Sequence, residues 1–79
     1  MSRENLIEEF KQLLADYCDI EVESLEEDDR LAQDVGLDSL DKIDLFTQLE
    51  SKYDISISDE DIEEQITVGD TINYLLKRL

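Results

Sequence analysis

The chain has 79 residues, with 23 Asp or Glu against 7 Lys or Arg and no His, so its formal net charge is −16. That charge opposes nucleic acid and anionic membranes, and without His neither an imidazole base nor a Ser-His or Cys-His pair can form. Leu, Ile, Val and Phe still supply 25 of the 79 residues, enough for one folded domain over 1–79 but not for a second core.

The first element is a helix over about Ser2–Tyr17, where Leu6, Ile7, Phe10, Leu13, Leu14 and Tyr17 recur at intervals of three and four. A long polar connection follows, from about Cys18 to Leu37. Its apolar members Ile20, Val22, Leu25, Leu31, Val35 and Leu37 are irregularly spaced, as in a loop pinned to a core at intervals. The second helix is expected from Asp38, which can cap it, with Asp41 three residues on, and it runs to about Tyr53. Ile55–Ile57 reads as a possible strand, but a lone strand has no partner. A short third helix fits Ser58 to about Glu64, and a fourth opens on Thr67 and Asp70 and continues to Leu79, with Lys77 and Arg78 at its C-terminal end. The fold class is therefore all-α, a small bundle of three longer helices and one short one.

The lone Cys18 cannot form an internal disulfide, and as a Cys ending an amphipathic helix it reads as a small buried hydrophobe. Neither a zinc cluster nor a calcium loop can be assembled, although Glu26–Asp29 is an acidic run. The opening MSRENLIEEF lacks the apolar run of a signal peptide, and no segment approaches the ~18 apolar residues of a membrane span. A cytoplasmic protein that does not insert into membranes is expected.

The second helix carries the functional signal. Leu40, Ile43, Leu45, Phe46, Leu49 and Tyr53 cover an arc of roughly 220°, against the ~100° stripe of an ordinary core-facing helix. Either the bundle buries this helix on most sides, or part of the arc lines a cavity for an apolar guest. Ser39 stands at the helix start, where free backbone N–H groups and the helix dipole favour a phosphate. A serine there is also simply a good helix-start residue.

The stretch Asp34–Glu50, DVGLDSLDKIDLFTQLE, resembles the core signature of acyl carrier proteins, centred on the triplet Asp38-Ser39-Leu40. YDISISDEDI and TVGDTINYLLKRL are similar to the third and fourth helices of that family in order and spacing. The resemblance implies a discrete, non-catalytic carrier of four helices. A phosphopantetheinyl transferase would move 4′-phosphopantetheine from coenzyme A onto Ser39, flanked by Asp38 and Leu40. The thiol of that arm would hold acyl intermediates as thioesters, in fatty-acid synthesis. The resemblance also implies a monomer that docks by Asp38, Asp41, Asp44 and Glu50 onto basic patches of synthases, reductases, dehydratases and acyltransferases. Asp41 and Asp44 fall on the exposed side of the helix wheel, Asp38 is a cap first, and Glu50 falls inside the apolar arc.

Lys42, Phe46, Thr47, Ser58 and Gln65 depart from the usual residues of that family. They keep open a specialised carrier for polyketide, polyene or modified-lipid synthesis. A rival from another class is an unmodified acidic helical adaptor for a basic protein.

Overall fold

The side chain of Ser2 accepts from the Asn5 N–H at 3.2 Å and starts α1, Arg3–Cys18. In the computed structural model, which describes residues 2–79, three further helices follow: α2 (Ser39–Tyr53), α3 (Asp59–Glu64) and α4 (Val68–Arg78). Each opens on the cap expected from its sequence, namely Asp38, Ser58 and Thr67. Two of these starts are reciprocal. Asp41 N–H donates to Asp38 at 2.8 Å and Asp38 N–H to Asp41 at 3.3 Å. Thr67 and Asp70 repeat the arrangement at 3.0 and 3.1 Å. α1 and α2 stop alike, on Asp19 and Asp54 in the left-handed region at φ 57° and 55°, a conformation that Asp tolerates better than most residues.

Residues 19–38 contain only one short 3₁₀ turn, Val22–Ser24, yet this connection is tied down. Leu31 N–H donates to the Ile66 carbonyl at 2.9 Å, Val68 N–H to Asp29 at 3.0 Å, and Gly69 N–H to Glu27 at 2.7 Å. The loop thereby serves as the N-terminal partner of α4. Gly69 suits this close approach, because a Cβ would lie 3.1 Å from the Glu27 carbonyl oxygen and press the loop outward by a few tenths of an ångström. Leu25, Leu31 and Leu37 are buried, Val22 and Val35 half-buried, and Ile20 stays exposed. Ile55–Ile57 forms no strand, because Ile57 N–H is taken by the Glu50 carboxylate at 2.9 Å. Among the described residues the only extended pairing is a single bridge between Arg30 and Thr67.

The core draws Leu6, Phe10 and Leu14 from α1, Leu45, Phe46 and Leu49 from α2, Ile62 from α3, and Val68, Ile72 and Leu75 from α4. Phe46, bulkier than usual for the family the sequence resembles, is wholly inside. Gln65 is buried as well, and its amide donates to the Asp61 carbonyl at 2.8 Å, so the polar group is satisfied.

All three tyrosines join one helix to another through a carboxylate. Tyr17 donates to Asp41 at 3.3 Å, Tyr53 to Glu9 at 2.9 Å and Tyr74 to Asp61 at 2.7 Å. Burial, then Asp44 and Asp41, push the Tyr17 phenol up to about 12. Burial followed by Glu9 raises Tyr53, and burial followed by Asp61 raises Tyr74. Tyrosines that hold their protons more tightly when folded stabilise the fold fully below the unfolded value of 10.0. That contribution is lost as pH rises through the folded values. Urea unfolding followed against pH should therefore show stability falling from about pH 10 towards 12, and Tyr53→Phe should flatten the fall.

Candidate functional site

Leu37 anchors the end of the connection in the core, and Gly36, at φ 93°, makes the turn that leads into it. The chain then enters α2 with Asp38 as cap and Ser39 as the first helical residue. The hydrogen bonds of this turn run between Asp38 and Asp41 and leave the Ser39 hydroxyl out. Ser39 is exposed. A hydroxyl in this place is accessible for esterification, and a phosphate on it would meet the unpaired N–H groups of the first turn.

The wide apolar arc of α2 divides three ways. Leu45, Phe46 and Leu49 are buried, whereas Leu40, next to Ser39, is 77% exposed and Ile43 is 44% exposed. Ile43 faces a cleft of about 300 Å³ between α2 and α3, with Ser39 at its edge. Leu37, Ile43 and Ile62 give the cleft an apolar lining, and Asp38, Lys42, Asp59 and Glu63 give it a charged rim. Of the arc, Ile43 thus lines an open cleft, while Leu40 points into solvent.

The four acidic residues singled out from the sequence do not form one face. Asp38 and Asp44 are exposed. Asp41, placed on the exposed side by the helix wheel, is half-buried, because it closes the cap and accepts from Tyr17. Glu50 is half-buried as well and holds the Ile57 N–H. On the other side of the cleft α3 presents Asp59 and Glu63, both exposed. Sequence reasoning missed these two as neighbours of Ser39, since nothing local signals that α3 folds back beside α2.

Cys18 is half-buried, and burial pushes its thiol up, with Asp41 adding to the effect. Such a thiol is a poor nucleophile. The acidic run at 26–29 is used in folding the loop, with Asp29 accepting from the Glu26 N–H at 2.9 Å and Glu27 pairing with Arg3. Among the described residues no group of three or more acidic or Cys side chains converges as a metal site, and no helix is long and apolar enough to cross a membrane.

The family described as the phosphopantetheine attachment site matches residues 8–75 of the chain. Over 78 residues the chain is 33% identical to an acyl carrier protein of Thermotoga maritima, covering 99% of this chain and 96% of that one. It is also 33% identical over 70 residues to an acyl carrier protein of Wolinella succinogenes, covering 89% and 92% of the two chains.

The geometry separates the structural residue of this turn from its free one. Asp38→Ala should lower the stability of the fold by about 1 kcal/mol. Ser39→Ala should leave helix content and the urea midpoint nearly unchanged, as circular dichroism will read directly.

Proposed function

The chain belongs to the acyl carrier protein family, and on that basis we propose that Ser39 receives the 4′-phosphopantetheine and that the loaded protein serves fatty-acid synthesis. Proteins of this family are non-catalytic carriers, handled by a phosphopantetheinyl transferase and by acyl-processing enzymes. The observation that carries the assignment to Ser39 is its position: an exposed hydroxyl, first in α2, free of the capping bonds and beside a cleft.

The residues present fit such a group. Ser39 supplies the ester oxygen, and the first turn of α2 supplies N–H donors for the phosphate. When attached, the arm supplies a terminal thiol that can hold an acyl group as a thioester. The protein's own part is to position the attachment point and to offer Leu37, Ile43 and Ile62 as apolar cover for the proximal part of the cargo.

Docking falls to the outward groups around Ser39. Leu40 offers an exposed apolar anchor, and Asp38, Asp44, Asp59 and Glu63 supply negative charge on both sides of it. A basic patch on the transferase, and on the synthases, reductases, dehydratases and acyltransferases that follow it, is the complementary surface. Asp41 and Glu50 act behind that surface by fixing the turn and the loop. A monomer working in the cytoplasm as one carrier domain completes the proposal. A specialised carrier for polyketide, polyene or modified-lipid synthesis is the second reading, and Lys42, a charged side chain on the rim of the cleft, favours it.

Intact-mass spectrometry after incubation with coenzyme A and a broad-specificity phosphopantetheinyl transferase tests the assignment. One phosphopantetheine should be added to the wild type and none to Ser39→Ala. Loading of Ser39→Ala would overturn it, and no gain on protein known to start unmodified would leave the adaptor as the better description. Asp44→Lys should slow loading severalfold, and added salt should slow the wild type in the same way.

A further inference from the structure

Ser39 and Lys42 line the same cleft from positions three apart on α2. Cβ atoms at that spacing stand about 5–6 Å from each other on one side of a helix. Every Cα–Cβ bond is tilted towards the helix N-terminus, which for Lys42 is the Ser39 end. The flexible stem of a lysine spans such a gap. Lys42 is half-buried, and among the described residues it is the one basic group lining this cleft, where the other charged groups are Asp38, Asp59 and Glu63. Lys11 and Lys77, like Lys42, have no carboxylate within 4.0 Å among the described residues, but neither lines the cleft.

The charge around Ser39 makes a new anion there costly. A phosphodiester keeps a full negative charge, and Asp38, Asp59 and Glu63 stand on the same rim. The free N–H groups of the first turn and the helix dipole offset part of that repulsion, but they carry only partial charge. Burial makes the Lys42 ammonium easier to deprotonate, while Glu63 of α3 and Asp70 of α4 favour its charged form without coming into ion-pair contact. A phosphate oxygen within hydrogen-bond reach would supply the close anionic partner that Lys42 lacks among the described residues, and Lys42 would supply the full counter-charge. The attraction is to the phosphate, the charged group of the arm itself, and is the same whatever neutral cargo the thiol holds.

We propose that Lys42 binds the phosphate that joins the arm to Ser39, and that this ion pair lays the arm along the cleft between α2 and α3 rather than out into solvent. Lys42 is then a positioning residue for the arm. This rests on the carrier function proposed above, and it concerns how the arm is held once attached rather than whether it is attached.

The test uses the full chain with isotopically labelled lysine, before and after transfer of phosphopantetheine from coenzyme A, with intact mass confirming the product. NMR follows the ε-carbon of each lysine from about pH 7 to about pH 10, below the fall in stability expected from the tyrosines. Lys42 should hold its proton severalfold more tightly in the loaded chain, while Lys11 and Lys77 change little. The phosphorus resonance of the loaded chain should move as Lys42 loses its proton, and Lys42→Met should abolish that movement. A titration of Lys42 unchanged by loading, or a phosphorus movement that survives in Lys42→Met, would overturn the ion pair and leave the carrier function standing. Absence of any mass gain would instead remove the carrier function, and the proposal with it, so the two failures are told apart.

Discussion

The structure is governed by an imbalance of charge: 23 carboxylates share a 79-residue chain with 7 cations. Ion pairs cannot absorb that excess. The four pairs among the described residues lie at the partly exposed surface, where water and salt leave them with little net effect. Eight of the described carboxylates also take neutral donors. Asp38, Asp41 and Asp70 accept backbone N–H groups at helix starts, Asp29, Asp34 and Glu50 accept them in loops, and Asp41, Glu9 and Asp61 accept the three tyrosine hydroxyls. An N–H or phenol satisfies a carboxylate without a second side-chain charge, and charge-assisted bonds of this kind are the stronger ones. Acidic residues thereby define where helices begin and how they are tied together.

The candidate site is a product of that arrangement. At the start of α2, Asp38 and Asp41 bond to each other's N–H groups, and Tyr17 holds Asp41 from α1. The capping bonds of the first turn are therefore made without Ser39, which stays exposed. The same helix places Leu45, Phe46 and Leu49 in the core and Leu40 in water. One amphipathic element thus anchors the bundle on one side and presents Ser39 on another. Glu50, one turn from the end of α2, draws in the Ile57 N–H and so sets the approach to α3, which forms the far wall of the cleft.

Features governed by short-range chemistry were legible in the sequence. The caps at Asp38, Ser58 and Thr67, each with an acidic residue three positions on, mark helix starts through bonds made within one turn. The stripe of α1 was readable from its three- and four-residue spacing, and the triplet around Ser39 from its resemblance to the acyl carrier signature. Features that depend on distant partners were not. The helix wheel places Asp41 outward, yet it is half-buried by a tyrosine 24 positions earlier in the chain. Ile55–Ile57 has the composition of a strand, and a carboxylate seven residues upstream takes the N–H that a strand would need. Lys42 reads as a charge beside an acidic face, and only the return of α3 turns its position into the rim of a cleft.

The central claim is that α2 presents Ser39 on a turn already fixed by Asp38 and Asp41, so that phosphopantetheine is added to a finished site. Backbone amide NMR of the protein before and after transfer tests this most directly. Shifts confined to the first turn of α2 and to the cleft around Lys42, Ile43, Ile62 and Glu63 are the expected result. Changes spread through the Phe10, Phe46 and Ile72 core, or none at Ser39 and Leu40 on protein that has gained the mass, would contradict it.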